Sequence, residues 1–561
     1  MVLHERTEPD LSYTDGRLAD TIRNGEIMNR MEIRKKQFEI LSKVLGFVIA
    51  IMLVRLIGDL GMAYFSAALE IYILLQMLFT AGIPDCMARM IRSRMAKGQY
   101  KNAEKVTKAA LGYCLVIGAA GSFFLLLAAD PLMRSLKLPE AALTLKILAA
   151  AFFLQALCAM LQGYFQGMGS AMPSMVFGII KQVFCLSFSL LFAHIMHDYG
   201  QKASALLHNE KFAGMYGACG AAIGFPCALL LAFCFLLAIY IGVGRRARRK
   251  NKEGMRLTED GLEVLRILLF SLLPTSGLLF FLRLPVMAGM VFYQNKTQGD
   301  LAAFSAYGAY YGKYLVLVGI FSVLALLATA GIENTVVSLV RKEENKNARN
   351  YLKGGMQALL LLTAYFAMLL FVLAPGMLHL FFGKNAGEAA AGYLQNGFVV
   401  VLLLPMGIFF TGILMGIGKS RTVLLNTLVS FILFLLAVNI GLQVFEGGIL
   451  ALVYAMLVFT AADCLLNGFF LLRTLRCKLE WLPLFVLPAA AAVVSGICIF
   501  LLNKVIAPAV GDALSTLFCI LLGGAVYLIL LFVLRCIREE DLDVLPCGSV
   551  LQKIGMLLHL L

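Results

Sequence analysis

Ionisable side chains inside long apolar segments are the residues of this sequence that could do chemistry. Arg283 lies in the run LLFFLRLP, with Pro274 and Pro285 on either side of it. A charge near the centre of a bilayer costs about 2.5–3.5 kcal/mol on insertion scales, so it persists where it faces protein or water. Because arginine binds phosphate through two parallel hydrogen bonds, Arg283 is a candidate for binding an anion. The two prolines predict a broken or kinked helix around it.

Three more basic residues extend this set of intramembrane charges. Arg55 precedes Asp59 by four residues, on the same face of a helix, so the two could instead form a local ion pair. Lys181 and Lys313 lie near the ends of apolar segments, where a lysine can also extend its ammonium group to the membrane surface. Arg55, Lys181 and Lys313 are therefore candidates for substrate binding beside Arg283.

Two acids, Glu70 and Asp463, also lie within apolar segments. Each could neutralise a nearby arginine or, like Asp59, serve a coupling ion. The intramembrane charge as a whole is nevertheless mainly basic, and a water-filled cleft lined by Arg and Lys attracts anions. A substrate that carries a diphosphate fits this balance better than an organic cation does. Transport could be coupled to Na⁺, to H⁺ or to the membrane potential.

The sequence offers no support for an enzyme, a metal site or a bound cofactor. It contains no P-loop, no HExxH and no GxSxG, and its six histidines have no metal-ligand spacing. The thirteen cysteines form no CxxC pair, and most lie in apolar segments as small packing residues. We therefore infer neither disulfides nor a metal.

Hydropathy identifies the elements that must hold these charges. Of 561 residues 61% are hydrophobic, and mean hydropathy is +0.86, so the solvent of this chain is a bilayer. A helix crosses the hydrocarbon with about 20 apolar residues. Fourteen segments near that length begin near residues 40, 62, 109, 144, 175, 216, 265, 312, 356, 394, 423, 450, 484 and 514. Their apolar runs do not alternate as barrel strands would, which predicts an all-α polytopic membrane protein.

Basic residues are concentrated on one set of the predicted loops. The net charge is +15. Clusters occur at Arg30–Lys36, Arg89–Lys108, Arg245–Arg256, Arg341–Lys353 and Arg473–Lys478. With fourteen spans each cluster falls on the same side, which the positive-inside rule assigns to the cytoplasm, together with both termini. This placement indicates contact with anionic membrane lipids rather than with nucleic acid. The polar first 39 residues lack the pattern of a cleaved signal.

Short motifs recur with a constant offset of 249 residues. The tetrapeptide TAGI occurs at 80–83 and again at 329–332, and Arg92 has its counterpart in Arg341. Gly163 and Gly167 match Gly412 and Gly416, and both pairs have the GxxxG spacing that lets membrane helices pack closely. Six spans separate the two TAGI motifs, so both run in the same direction. The chain is predicted to contain two parallel, six-helix lobes, as many transporters do.

These boundaries divide the chain into six parts. They are a cytoplasmic N-terminal tail (1–39), a first lobe of spans 1–6 (40–243), a basic cytoplasmic linker (244–264), a second lobe of spans 7–12 (265–472), spans 13 and 14 (473–536), and a cytoplasmic amphipathic tail (537–561).

Several of these motifs together resemble one known family. Residues 53–61 (LVRLIGDLG) and 80–84 (TAGIP) resemble a signature of the MOP flippases, in the polysaccharide-transporter branch that includes stage V sporulation protein B and the MurJ-type lipid II flippases. Residues 97–103 (KGQYKNA), 161–167 (LQGYFQG) and 412–419 resemble further segments of that branch. Residues 538–546 resemble its C-terminal tail.

The resemblance implies fourteen helices, two pseudo-symmetric lobes and a central cavity in a bacterial plasma membrane. It implies that a polyisoprenyl-diphosphate-linked saccharide, such as lipid II or a polysaccharide repeat unit, moves from the inner to the outer leaflet by alternating access. Arg55 occupies the arginine position of the family's first span. Glu333 stands where the family usually has proline, Arg283 lies near a position that is often acidic, and Glu70 is unusual.

Two other functions are compatible with the same fold. A MATE-like antiporter of drugs or other cations would have an acidic cavity. A non-transporting scaffold that recruits cell-envelope synthesis enzymes through its basic loops would not need Arg55 or Arg283. The basic balance of the intramembrane charges favours the flippase.

Overall fold

The computed structural model describes residues 12–170, 172–250, 259–477, 482–534, 536 and 552. No β-strand occurs within these ranges. The helices are α1 (Ser12–Phe79), α2 (Ile83–Ala96), α3 (Tyr100–Ser135), α4 (Ala142–Gly167), α5 (Met172–Leu207), α6 (Lys211–Lys250), α7 (Gly261–Thr297), α8 (Leu301–Ala309), α9 (Val316–Ala328), α10 (Ile332–Arg341), α11 (Asn345–Val372), α12 (Ala374–Phe382), α13 (Glu388–Gly397), α14 (Val400–Gly416), α15 (Ser420–Gln443), α16 (Gly448–Leu475), α17 (Leu487–Val510) and α18 (Asp512–Val533). The predicted amphipathic tail lies outside the described residues.

The predicted class, a polytopic α-helical membrane protein, is confirmed. Twelve helical stretches of the described chain are long and apolar enough to cross a membrane, or thirteen when the bent pair α13–α14 counts as one span. The stretch Gln37–Ala96 counts once although its 60 residues correspond to about 90 Å of helix, about three bilayer cores. Gly58 interrupts that stretch with φ 69° and ψ −177°, at the boundary predicted between spans 1 and 2.

Helices α1–α6 pack mainly on one another, and we call them the first lobe. α5 and α6 approach each other closely, since a Cβ atom on Gly220 would overlap the backbone of Phe192. A Cβ on Gly224 would similarly overlap Ser189. Without a hydrophobic force between helices in lipid, such small-residue contacts supply the close packing that holds the lobe together.

Helices α7–α16 form a second packed group, the second lobe, in which α15 contacts both α7 and α16. Its inner face is filled by large apolar side chains such as Phe409 and Phe434, both almost fully buried. Helices α17 and α18 pack on each other and on α11 and α12, at one side of this lobe. We propose these groups as the lobes and the additional pair of spans that the repeat predicts.

The sequence repeat corresponds to repeated contacts in the structure. A Cβ on Gly163 would lie 3.1 Å from Pro84 in α2, and one on Gly412 would lie 3.0 Å from the Glu333 carboxylate in α10. Glu333 therefore occupies the position of Pro84 in the other lobe. These contacts place the predicted GxxxG glycines at helix–helix interfaces within each lobe.

The remaining glycines of the two pairs and the repeated arginines continue this pattern. Gly167 packs on Ile91 and Gly416 on Val337. Arg92 donates to the Gln166 carbonyl at 3.3 Å, and Arg341 donates to the Gly416 carbonyl at 2.7 Å. Each arginine thus donates to a backbone carbonyl at the end of a helix, where a positive charge is favourable.

Of the two alternatives predicted for span 7, a broken or a kinked helix, the break is wrong. α7 runs without interruption from Gly261 to Thr297, with Pro274 and Pro285 inside it. Membrane helices tolerate proline because neighbouring groups can satisfy the freed backbone carbonyls. The helix therefore carries Arg283 on one continuous element.

α7 contacts both lobes. Its first half lies against α2, where Leu272 and Ser276 contact Gly82 and the Cys86 thiol donates to the Ser271 carbonyl at 3.2 Å. Its second half packs on α15 and α16, with Gly289 against Leu452. α7 is thus an element that both lobes contact, and it carries Arg283.

Candidate functional site

Arg283 of α7 forms an ion pair with Glu70 in the second half of α1, so the pair joins the two lobes. Nε donates to Glu70 Oε2 at 2.8 Å, and Nη2 donates to Oε1. Glu70 is fully buried, whereas 33% of the Arg283 side chain is exposed. The predicted cation is therefore present but neutralised, by an acid of the opposite lobe rather than of its own.

A tyrosine-rich stretch surrounds this ion pair. Tyr311 lies in a π-helical turn, Tyr310–Leu315, between α8 and α9. Its hydroxyl donates to Glu70 Oε1 at 2.5 Å and accepts from Arg283 Nη2 at 3.2 Å. Tyr307, one turn earlier, is fully buried, and its hydroxyl has no hydrogen-bond partner in the described structure. π-helical turns are frequent at functional sites.

A second ion pair joins the lobes near Gly58. Lys313, in the same π-helical turn, donates to Asp59 Oδ2 at 2.7 Å. Its side chain is 1% exposed, so it does not reach the membrane surface as the alternative prediction required. The backbone of Gly308 in α8 also contacts Asp59 and Ala63, which brings the helices close enough for the pair to form. We call the part of the bundle around Gly58 the Gly58 end, and the opposite part, with the basic turns, the basic end.

The alternative of a local ion pair between Arg55 and Asp59 is not observed, since Asp59 binds Lys313 instead. Arg55 Nε donates to the Phe381 carbonyl at 2.6 Å, and Nη2 donates to the Leu380 carbonyl at 2.9 Å. These carbonyls lie in the last turn of α12, where a helix has unpaired acceptors and partial negative charge. Arg55 and Lys313 therefore both connect the lobes at the Gly58 end, and of the two only Lys313 is fully buried.

Lys181 of α5 differs from these residues because it makes no hydrogen bond or ion pair with any described residue. It is half-buried and lies near Cys158 of α4 and Cys185 of its own helix. A cation inside a membrane bundle without an acidic partner is a functional candidate by default.

Asp463 of α16 belongs to a buried polar network within the second lobe. Its Oδ1 accepts from Thr427 at 2.9 Å and from Asn467 at 3.1 Å. Asn467 also donates to Thr411 and accepts from Asn426. No basic side chain pairs with Asp463 among the described residues, so the predicted role of neutralising an arginine is not observed for it. Carboxylate, hydroxyl and amide oxygens are the ligands that hard cations prefer.

A further contact at the basic end was not predicted from the sequence. Arg94 of α2 donates to Glu259 Oε2 at 2.9 and 2.6 Å, and Asn102 Oδ1 accepts from the Glu259 amide at 3.1 Å. Lys105 binds the Glu259 carbonyl. Glu259 stands directly before α7, so these contacts tie the start of α7 to the first lobe. Its place at the end of the basic linker was the only signal in the sequence.

Together these contacts describe a two-lobed bundle whose lobes are connected by ion pairs. Lys313 and Asp59 close the Gly58 end, and Arg283 and Glu70 connect the lobes farther along α1. The amount of exposed surface differs between them, since Arg283 is partly accessible and Lys313 is not.

Comparison with known proteins supports the resemblance that the motifs predicted. Residues 38–219 match the family model described as polysaccharide biosynthesis protein. The chain is 21% identical to stage V sporulation protein B of Bacillus subtilis (strain 168) over 522 residues, which cover 90% of this chain and 95% of that protein.

Solved structures of similar fold include lipid II flippase MurJ in an inward closed conformation, with a TM-score of 0.61, 15% identity, and coverage of 89% of this chain and 98% of that one. An inward-facing MATE family multidrug transporter of the MOP superfamily matches with a TM-score of 0.57, 16% identity, and coverage of 78% and 95%. These likenesses establish the fold. By motif, sequence and fold, this chain is thus a multi-pass membrane protein similar to the transporters and flippases of the MOP superfamily, as the motifs predicted.

Proposed function

We propose that this protein moves a polyisoprenyl-diphosphate-linked saccharide across the membrane by alternating access, from the basic end to the Gly58 end. The observation that carries the proposal is Arg283, a partly exposed guanidinium held between the two lobes. Stage V sporulation protein B and lipid II flippase MurJ, to which the chain is similar, are the relatives that suggest this substrate class.

Electrostatics determine how the head group would cross. A diphosphate carries its charge at the junction of sugar and lipid, and covering that charge removes the main barrier to its passage. Arg283 and Lys181, which has no ion-pair partner among the described residues, are the basic side chains that we assign to this task. The prenyl chain stays in lipid, so the bundle has to enclose only the polar head group. The basic end faces the cytoplasm in this proposal, as the positive-inside rule predicts.

Arg55 and Lys313 receive a different role from the one first predicted for them. Both cations hold the Gly58 end closed, through the last turn of α12 and through Asp59. Opening of that end would free them to meet the head group on its way out. Asp463, which has no basic partner among the described residues, is the acid that we propose as the site of a coupling ion.

The experiment is a flipping assay in proteoliposomes with a fluorescent polyisoprenyl-diphosphate saccharide. Arg283→Ala alone would leave Glu70 buried without a cation, which costs about 3–5 kcal/mol and could unfold the protein. The informative variant is Arg283→Gln combined with Glu70→Gln, because it removes both charges and keeps hydrogen-bonding groups. We expect it to fold and to lose flipping.

The matched control neutralises an ion pair at the protein surface. Lys146 and Asp130 pair at 2.7 Å and are both well exposed, so Lys146→Gln with Asp130→Asn should leave flipping unchanged. Full activity of the Arg283 double variant would refute the proposal that Arg283 binds the substrate. Transport of organic cations without lipid flipping would favour the antiporter. Normal glycan assembly in cells that express an inactive variant would favour the scaffold.

A further inference from the structure

Tyrosine rings lie one after another from Arg283 toward the Gly58 end. The hydroxyl of Tyr311 lies 3.2 Å from Arg283 Nη2, and its ring centroid lies 6.4 Å from that of Tyr307. The ring of Tyr307 in turn lies 6.5 Å from that of Tyr293 in α7. Because Tyr293 follows Arg283 by ten residues in one continuous helix, it lies about 15 Å nearer the Gly58 end. The rings therefore follow the path along which the head group is proposed to leave.

Two further tyrosines place these rings in the interface between the lobes. Tyr310 of the π-helical turn lies 6.0 Å from Tyr307, and Tyr64 of α1 packs on Phe304 of α8 with ring centroids 5.0 Å apart. α1 belongs to the first lobe, and the other elements belong to the second. We use the name tyrosine row for Tyr64, Tyr293, Tyr307 and Tyr310, each of which is at most 4% exposed. Separation of the lobes at the Gly58 end would uncover them.

The hydroxyls of the tyrosine row have no hydrogen-bond partner among the described residues. Tyr314, one turn farther along, differs in this respect because its hydroxyl donates to the Gly397 carbonyl at 3.3 Å. Two more buried polar atoms toward the same end, Gln294 Nε2 and Asp59 Oδ1, also have no partner in the described structure. Buried polar groups are normally hydrogen-bonded, and phenylalanine would fill the same space without an unpaired hydroxyl. The closed interface thus contains hydrogen-bonding groups that it does not use.

The chemistry of the tyrosine row fits a sugar. A pyranose has C–H groups on its faces and hydroxyls around its edge, so it needs flat apolar walls together with single donors and acceptors. Tyrosine supplies both, since its ring is apolar and its hydroxyl donates and accepts. An acyl chain would leave the hydroxyls unpaired, and a further phosphate would need cations, which the row does not contain.

We propose that the tyrosine row is the saccharide subsite of the head group, uncovered when the Gly58 end opens. This inference rests on the proposed function and deepens it, because it names the groups that recognise the sugar. Arg283 binds the diphosphate, and the attached sugar stacks on the rings and pairs with their hydroxyls. The protein therefore distinguishes a lipid diphosphate that carries a sugar from one that does not.

The test compares four probes by calorimetric titration of the whole protein in nanodiscs. One probe is farnesyl diphosphate, and the others are the same lipid linked to glucose, galactose or N-acetylglucosamine. We expect wild type to bind at least one sugar-linked probe more tightly than farnesyl diphosphate. The triple variant Tyr293→Phe, Tyr307→Phe, Tyr310→Phe keeps the rings and removes the hydroxyls. It should bind that sugar-linked probe at least about tenfold more weakly, with its affinity for farnesyl diphosphate unchanged.

The matched control is Tyr314→Phe, which removes a hydroxyl that already has a protein partner and should keep the preference for the sugar. A thermal-shift measurement checks the fold, since loss of unpaired buried hydroxyls should leave the melting temperature of the triple variant equal or higher. Equal weakening by Tyr314→Phe and the triple variant would refute the subsite, because the effect would then come from packing of the interface.

The remaining outcomes separate this inference from the proposed function. If wild type binds all four probes equally well, the subsite is refuted and diphosphate recognition stands. The same holds if the triple variant keeps the full preference, because the unpaired hydroxyls then do not meet the sugar. If wild type binds none of the probes, the subsite is refuted, and absence of flipping in proteoliposomes would overturn the proposed function as well.

Discussion

Replacing Asp59 by asparagine should open the Gly58 end of the bundle. Lys313 is 1% exposed and its ammonium lies 2.7 Å from Asp59 Oδ2. Removing one partner of a buried ion pair costs about 3–5 kcal/mol, because the other charge stays buried without compensation. Asp59 is 27% exposed, and an asparagine still offers an oxygen to Lys313, so we expect about 2 kcal/mol.

The loss of about 2 kcal/mol destabilises only the closed state, in which Asp59 and Lys313 are paired. When the lobes separate at this end, both side chains meet water, where an ion pair contributes little. About 2 kcal/mol therefore changes the ratio of open to closed molecules by about 30-fold. The change should be visible even if the open state of the wild-type protein is rare.

The assay measures how often the interface opens. Ala63 is fully buried in α1, where its backbone contacts Gly308 of α8. In an Ala63→Cys background, a membrane-impermeant thiol reagent can react only while the interface is open, so its rate reports the open population. Adding Asp59→Asn should raise this rate by about 30-fold, measured by mass spectrometry of the labelled peptide. The other cysteines are distinguished by their peptides.

The control is Asp130→Asn in the same background, which should leave the labelling rate unchanged because Asp130 lies in a surface pair. If Asp59→Asn also leaves the rate unchanged, the pair does not hold the lobes together, and the role assigned to Lys313 is wrong. Equal acceleration by both variants would mean that the effect comes from net charge and not from this contact.

Two other contacts give predictions of the same kind. A Cβ on Gly299 would lie 3.6 Å from the Lys137 Cβ, within the range for a disulfide. Lys137→Cys with Gly299→Cys should therefore form a disulfide on mild oxidation and stop flipping until a reductant is added. Flipping by the oxidised protein would show that the loops that carry these two residues need not separate. Gly220→Ala should lower the melting temperature by several degrees, because the new Cβ meets the Phe192 carbonyl, which cannot rotate away. Gly112→Ala, with no atom within 4 Å, is its control and should be neutral or slightly stabilising in a thermal-shift measurement; equal melting temperatures would contradict the close packing of α5 and α6.

The helices and the repeat could be read from the sequence because both leave local signals. Apolar runs of about 20 residues identify spans whatever their neighbours are. The 249-residue offset links residues that make equivalent contacts, as Arg92 and Arg341 do with helix ends. The same locality explains why the expected break in α7 is absent. A proline in the sequence shows that one backbone hydrogen bond is missing, but it does not show whether neighbouring groups compensate for that loss.

The partners of the charged residues could not be predicted for the opposite reason. Glu70 and Arg283 are 213 residues apart, and Asp59 and Lys313 are 254 apart. Hydrophobic periodicity fixes which face of each helix is buried, but it does not fix how one lobe lies on the other. Helical spacing favoured the nearby pair of Arg55 and Asp59, yet the carbonyls of α12 and the lysine of the π-helical turn are the partners in the structure. Such competition depends on tertiary contacts that no local pattern contains.

The two ion pairs between the lobes have different requirements for opening, and this difference bears on how a flippase avoids a leak. Lys313 and Asp59 need only water in order to separate, because both become solvated when the Gly58 end opens. Arg283 and Glu70 lie farther along α1, and separating them without a replacement would leave the fully buried Glu70 carboxylate uncompensated. An empty bundle would therefore stay connected at this point even when its Gly58 end opens, and movement of the lobes would depend on the head group that it is meant to carry.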